Sequence, residues 1–173
     1  MRSSVSGEMS GSPANDAPYR VIEDVTFGEN VVVYSFTNLY GCQIGDHTRI
    51  GPFVEIQQGA RIGANCKIES HAFICSGVEI EDEVFVSHGV MFINDKLPRA
   101  TTEGRLRREG DWRLLRTTVE HGATLGSGAV IGGGIRIGRR ALKPGPYRAM
   151  ITTTDVAGNA SRASTAFFRV VKG

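Results

Sequence analysis

Two histidines in the middle of the chain have the residue type and the position for proton transfer. His71 and His88 are 17 residues apart, and His47 and His121 lie before and after them. Imidazole changes its charge near neutral pH, so it can take a proton from an amine or hydroxyl that attacks a carbonyl carbon. The sequence predicts His88 as a base or proton relay, with His71 as its neighbour or as a contact to the molecule that carries this amine or hydroxyl. The alternative is an exposed histidine without a role.

A basic segment follows His88 almost directly. Residues 93–118 contain seven Lys and Arg residues against four Asp and Glu residues. The planar guanidinium of Arg pairs well with phosphate oxygens, which favours contact between a phosphate and at least one of these side chains. A solvated loop with a charge run is the alternative interpretation.

The sequence around these residues repeats a large apolar side chain every six positions. It runs from Ile44 to Phe92 without exception, and a small or β-branched residue stands two positions before each. An even period permits strands, with one corner in each unit. Three units make a coil of 18 residues, whose stacked strands pair in parallel about 4.8 Å apart. The same spacing is seen at Val21, Phe27, Val33 and Leu39, and after residue 118 at Val119, Leu125, Ile131 and Ile137, with Ile135 among the small inward positions.

The 18-residue coil predicts on which side of the solenoid each candidate side chain lies and whether it points inward or outward. Hexapeptides that begin 18 residues apart lie on one side of the coil, so His71 and His88 share a side, one coil apart, and point outward. Cys42 and Cys66 occupy inward positions, whereas Cys75 is predicted to point outward. The six-residue spacing therefore predicts which side chains form the core and which side of the coil carries the two histidines.

One long stretch of the repeat resembles the hexapeptide-repeat acyltransferases: "IGDHTRIGPFVEIQQGARIGANCKIESHAFICSGVEIEDEVFVSHGVMFIND". The resemblance covers roughly residues 20–138 and implies an all-β fold, a left-handed parallel β-helix with a long loop at 93–118. The segment "HGVMFINDKLPRAT…DWRLLRTTVEHGATLGSGAVI" resembles the branch that N-acetylates nucleotide-linked amino sugars for bacterial surface polysaccharides. The expected reaction is acetyl transfer to the amine of a UDP- or dTDP-linked amino sugar.

The resemblance also implies the partners of that reaction and where they bind. It implies a homotrimer with acetyl-CoA as co-substrate in a groove between chains and the acceptor near the loop. Acceptor contacts are expected from Asn94, Asp95, Arg99, Glu55 and Gln57, although a solvated polar face is the alternative for Glu55 and Gln57. The pantetheine arm is expected along the backbone of Gly126, Ser127, Gly132 and Gly133, although these glycines also suit corners.

Three other functions remain open at this point. The first is O-acetylation of a sugar or serine hydroxyl, which the absence of a histidine at residues 94–96 disfavours. The second is a zinc carbonic anhydrase on the same helix, which the 17-residue separation of His71 and His88 disfavours. The third is a β-helix that has lost its activity and serves as a scaffold or fused module.

The ends of the chain and its composition complete the prediction. Residues 1–18 are expected to be a disordered leader, residues 19–142 the β-helix domain and residues 143–173 a β-hairpin that resembles the last strands of a bacterial immunoglobulin-like domain. The net charge is only +2, so no nucleic-acid partner is predicted. No apolar run is long enough for a membrane span, so none is predicted. Three cysteines favour a cytoplasmic protein, and no metal site is predicted.

Overall fold

The structure is a computed structural model that describes residues 19–108 and 110–138, together with the backbone of two strands at 145–151 and 164–170. The chain divides into two compact units, with the boundary between Arg139 and Arg140. Residues 1–18 and the predicted domain boundary near residue 142 lie outside the described residues. No helix of the described part is long and apolar enough to cross a membrane.

The first unit is a solenoid of three parallel sheets. Sheet 1 contains β1 (Val21–Glu23), β4 (Asn38–Tyr40), β7 (Glu55–Ile56), β10 (Phe73–Ile74), β13 (Met91–Phe92) and β18 (Val130–Ile131). Sheet 2 contains β2 (Thr26–Phe27), β5 (Gln43–Ile44), β8 (Arg61–Ile62), β11 (Val78–Ile80), β16 (Thr117–Val119) and β19 (Arg136–Ile137). Sheet 3 contains β3 (Val32–Val33), β6 (Arg49–Ile50), β9 (Lys67–Ile68), β12 (Phe85–Val86) and β17 (Thr124–Leu125). The predicted fold class, a parallel β-helix, is confirmed.

The solenoid strands are only two or three residues long because each unit of about six residues also contains a corner. The large inward side chain of each strand contributes to the core. Ile50 pairs with Ile68 and Ile56 pairs with Ile74, each one coil later. All the large apolar positions from Ile44 to Phe92, and the small positions two residues earlier, are buried. Aliphatic ladders of this kind bury apolar surface continuously along the axis, which stabilises a stack of coils rather than a single one.

Three positions differ from the prediction. Val21 is 57% exposed, and Ile22 packs against the core in its place, opposite Leu39. The step from Ile22 to Leu39 is only 17 residues, because the first two coils are one residue short. Ile135 was predicted inward and is 43% exposed, whereas Cys75 was predicted outward and is buried. Counting in sixes therefore fails where a corner is shortened and at the last coil.

The loop leaves the solenoid after β13 and returns at β16, so it is inserted at the corner between sheets 1 and 2. It contains a small antiparallel hairpin of β14 (Thr101–Thr102) and β15 (Arg105–Leu106). The second unit contains the predicted C-terminal hairpin, formed by β20 (Gly145–Ile151) and β21 (Ser164–Val170) in antiparallel pairing. The turn between these two strands lies outside the described residues.

Candidate functional site

His88 lies in the corner that joins sheet 3 to sheet 1, called here the histidine corner (turns 52–53, 70–71, 88–89 and 127–128). Its Nδ1 is 2.9 Å from Oγ of Ser70, one coil earlier, and its Nε2 is 3.9 Å from a carboxylate oxygen of Glu69. Lys67 holds the other oxygen of that carboxylate at 2.7 Å. In the tautomer whose Nδ1–H donates to Ser70, Nε2 carries a lone pair and can accept a proton.

His71 occupies the same corner one coil earlier, also exposed. Its ring stacks on Phe53 with 4.8 Å between the centroids and 21° between the planes. The two predicted histidines therefore share a corner. Among the described contacts, only His88 is held by a hydrogen bond to a neighbouring side chain.

A second polar cluster lies on the outer surface of sheet 1. Glu55 Oε1 accepts hydrogen bonds from Tyr40 Oη at 3.2 Å and from Gln57 Nε2 at 3.1 Å. The amide oxygen of Gln57 accepts from the backbone N–H of Ser76. Burial, together with the charge of Glu55, raises the pKa of Tyr40, so the phenol stays protonated and donates at neutral pH. Glu55 and Gln57, both predicted to contact the acceptor, are therefore hydrogen-bonded to each other in one cluster.

Tyr40 was missed by the sequence reasoning, although one signal pointed to it. It precedes Gln57 by 17 residues, the length of the short second coil, and so lies beside it on the sheet. An outward position one coil before a predicted acceptor residue is therefore the feature to search for.

The start of the loop is fastened to the solenoid by the residues predicted to bind the acceptor. Asn94 Nδ2 donates to the carbonyl oxygen of Ser76 at 3.0 Å. Asp95 accepts from the backbone N–H of Leu97 with one oxygen and from Arg107 with the other, both at 2.9 Å. Both carboxylate oxygens of Asp95 therefore have partners within the loop, and these contacts help to shape it.

Arg107 connects three parts of the loop. Beyond its contact with Asp95, it donates to the carbonyl oxygens of Leu97 at 3.2 Å and Asp111 at 2.8 Å. The Asp111 carboxylate forms a bidentate pair with Arg105 at 2.6 and 2.8 Å. Hydrogen bonds from Arg105 first, and then from the backbone of Arg108, lower the pKa of Asp111 to about 2, so it is ionised at neutral pH. These contacts give the loop a defined shape.

Arg107→Gln is expected to loosen this loop. A lost hydrogen bond to a charged, partly buried group costs enough to speed local opening about 10- to 100-fold. Hydrogen exchange at the Leu115 N–H, which donates to the carbonyl oxygen of Asn94, reports the opening. Arg113→Gln, at an exposed position of the same loop, is the matched control and should leave the exchange rate unchanged. Equal rates in both variants would contradict a connecting role for Arg107.

The loop covers a cavity of about 490 Å³ at the corner between sheets 1 and 2. The loop side of the cavity is basic and aromatic, and Tyr40 and Ser76 contribute from the coils. Guanidinium groups and an indole ring suit a ligand that carries phosphate and a flat ring. The predicted Arg99 is not part of the lining, and its guanidinium is exposed and donates to the carbonyl oxygen of Pro98 at 3.0 Å. The principal loop side chains of the lining are Arg107, Arg108, Trp112 and Arg116.

The residues predicted to lie along the pantetheine arm are divided between two corners. Gly126 and Ser127 lie at the histidine corner, where Ser127 Oγ is 2.7 Å from Oγ of Ser87. A Cβ added at Gly126 or Gly132 would meet no atom within 4 Å, so their backbone is open to a ligand. A Cβ at Gly133 would lie 2.8 Å from the carbonyl oxygen of Ile93 and from Leu115, so this glycine packs against both ends of the loop.

Gly133→Ala is expected to displace the loop and lower stability by about 1–3 kcal/mol, because the added methyl group meets backbone as well as side chain. Gly132→Ala is the matched control, since nothing stands near its Cβ position. The difference in free energy of unfolding between the two variants, from urea titration, measures the effect. A difference within error would show that the loop ends are not packed on Gly133.

The cysteines do not offer a nucleophile. Burial raises the pKa of Cys42 and of Cys75 to about 11, and it raises that of Cys66 as well. All three therefore remain neutral thiols near neutral pH. In the part of the chain that the structure describes, no three His, Cys, Asp or Glu side chains are grouped as a metal site.

The family model "hexapeptide repeat of succinyl-transferase" matches residues 42–74, 59–91 and 116–142. No curated protein sequence matches the chain. A solved structure of a His-to-Asn variant of perosamine N-acetyltransferase from Caulobacter crescentus, with CoA and GDP-perosamine, is 18% identical with a TM-score of 0.42 over 70% of this chain. The present chain spans 48% of that enzyme's length. The N-terminal domain of CcmM, solved with CcmN, is 18% identical with a TM-score of 0.39, over 78% of this chain and 93% of that one. The β-helix is thus built from hexapeptide repeats of the kind that this transferase family contains.

Proposed function

We propose that the chain transfers an acyl group, with acetyl from acetyl-CoA as the first candidate, to the amine of a UDP- or dTDP-linked amino sugar. The observation that carries the proposal is the exposed imidazole of His88, oriented through Nδ1 by Ser70 at a corner of the hexapeptide solenoid. The match of the coils to a transferase repeat model supports an acyl donor of the CoA type.

In the proposed reaction, the neutral amine nitrogen attacks the thioester carbonyl carbon. A C–N bond forms and the C–S bond breaks, while the proton from nitrogen passes to Nε2 of His88 and then to the leaving sulfur. In the tautomer whose Nδ1–H donates to the Ser70 hydroxyl, Nε2 is available to accept this proton. The open backbone at Gly126 and Gly132 is assigned to the extended arm of CoA.

Other side chains near these coils have separate roles in this proposal. Glu55 and Gln57, held together with Tyr40, are assigned to hydroxyl groups of the acceptor. Arg108 and Arg116 are assigned to its phosphates, with Arg99 at the edge of the loop. A homotrimer belongs to the proposal on the strength of the family resemblance, and a cytoplasmic location on the strength of the odd number of cysteines.

Acyl transfer to a hydroxyl is the second candidate. A hydroxyl must lose its proton during the attack, and the arrangement of His88 with Ser70 offers a base for it, although the loop itself has no histidine.

The test is release of CoA from acetyl-CoA in the presence of UDP- and dTDP-linked amino sugars, each beside the matched sugar with a hydroxyl in place of the amine. Turnover that requires the amine would establish the first candidate. Turnover with the hydroxyl compounds would establish the second. Release with neither set would contradict both and favour a scaffold.

A further inference from the structure

A ladder of stacked aromatic rings runs along the histidine corner. Tyr19, Phe36, Phe53 and His71 occupy equivalent positions in four successive coils, with centroids 5.1, 4.9 and 4.8 Å apart. All four have positive φ, between 59° and 83°, which aromatic residues rarely adopt. All four residues are exposed to solvent. The corner therefore directs a column of rings along the solenoid axis, in contact with solvent.

The ladder stops at His71 because the next two positions in the column are glycines. Gly89 and Gly128 have φ of 67° and 70°, like the aromatic residues above them. The Gly89 N–H donates to the Ser70 carbonyl oxygen, which places it one coil below His71. A Cβ at either glycine would meet nothing within 4 Å. One face of the His71 ring thus rests on Phe53, and the other looks over a gap the height of one coil or more.

Polar side chains border this gap. Ser70, His88 and Ser127 immediately precede the three lower positions of the column. His88 belongs to the same turn as Gly89, and Ser70 holds its Nδ1. Glu69 lies 3.9 Å from its Nε2. The gap therefore combines an aromatic floor with a hydrogen-bonding border that includes the predicted base.

We propose that this gap binds the pyranose ring of the acceptor, stacked on the free face of His71 so that His88 reaches the amine. The inference rests on the proposed function and names the place of its sugar. A pyranose has a face of C–H groups and hydroxyls around its edge, which matches an aromatic floor with several polar groups beside it. The ring spacing in the ladder lies within the range of stacked aromatic rings, so the His71 face is oriented for a further ring along the same axis. A nucleobase also stacks on aromatic side chains, but its few polar edge atoms would leave most of this border unused.

The experiment is a binding titration without acyl donor, so its outcome is independent of turnover. The probes are UDP-glucosamine, glucosamine alone and UDP alone. Binding is detected by NMR, from the shift of the His71 ring resonances and from saturation transfer from the protein to the C–H groups of the ligand. UDP-glucosamine is expected to shift the His71 resonances, with saturation strongest on one face of the pyranose. His71→Ala should weaken binding about 3- to 10-fold, whereas His71→Phe should retain it.

Gly89→Phe supplies a second, opposite test, because Phe36 and Phe53 already accept the same backbone conformation in this column. The added ring is expected to fill the gap, extend the ladder and abolish binding while the thermal midpoint stays close to that of the wild type. His47→Ala, at another corner with φ of 58°, is the control and should bind normally. The proposal is overturned if UDP alone shifts His71 as strongly as UDP-glucosamine, if no probe shifts it at millimolar concentration, or if His71→Ala binds as the wild type does. Acyl transfer without these shifts would leave the proposed function in place and remove only this inference.

Discussion

His88→Asn is expected to lower kcat of acyl transfer about 10²- to 10⁴-fold, the usual contribution of a general base. Asn cannot take a proton from the attacking nitrogen, although it can still form a hydrogen bond to Ser70. The KM values for acyl-CoA and sugar should change little, because the proton moves only in the transition state. Steady-state kinetics of CoA release with both substrates varied provide the measurement.

Two further variants locate the effect. His121→Asn replaces an exposed histidine at a different corner and should leave kcat unchanged. Ser70→Ala removes the partner of Nδ1 and should lower kcat less than His88→Asn, with KM again unchanged, since Ser70 acts only by orienting the ring. If His88→Asn keeps kcat within about threefold of the wild type, no side-chain base operates at this corner and the amine must lose its proton to water.

Ile56→Ala is expected to lower the free energy of unfolding by about 2–5 kcal/mol. Ile56 is fully buried, and its strand lies between β4 and β10, with Leu39 and Ile74 directly above and below it. Removing its side chain leaves a cavity in the middle of the ladder, where the neighbouring coils are held at the fixed strand spacing and cannot close in.

Urea unfolding followed by circular dichroism measures this loss. Val130→Ala is the matched control, because Val130 lies in the same sheet with 66% of its surface exposed, and its replacement should cost less than about 0.5 kcal/mol. A cost below about 1 kcal/mol for Ile56→Ala would mean that the coils adjust to the lost volume, contrary to a tightly packed axis.

The loop shows the limit of sequence reasoning at the candidate site. Its position and charge followed from the break in the hexapeptide spacing, and Asn94 and Asp95 were selected at its start. In the structure, both carboxylate oxygens of Asp95 accept hydrogen bonds within the loop. One of the donors is Arg107, which is 12 residues further along the chain. Pairing between two charged residues of an irregular segment depends on how the backbone folds back, and no periodicity predicts it.

Cys75 and Val21 illustrate two different errors within the repeat itself. Cys75 directly follows the inward Ile74, so alternation along a strand predicts an outward side chain, yet Cys75 is 2% exposed and belongs to the cluster of buried core residues. Val21 was placed inward by counting back in sixes from Leu39, whereas a coil one residue shorter turns Ile22 inward. A missing residue reverses the two faces of a strand because side chains alternate with a period of two.

The sequence by itself determined the architecture of this protein: an inward aliphatic residue in every hexapeptide, with glycine and other turn residues at the corners, leaves a stack of three-sided coils as the packing that buries them all. It also determined that His71 and His88 share a corner, since 18 residues return the chain to the same side. Only the tertiary structure decided what surrounds them. Ser70 beside His88, Phe53 on one face of His71 and the gap at Gly89 on the other are contacts between coils, and they depend on side-chain orientations that the spacing of residues leaves open.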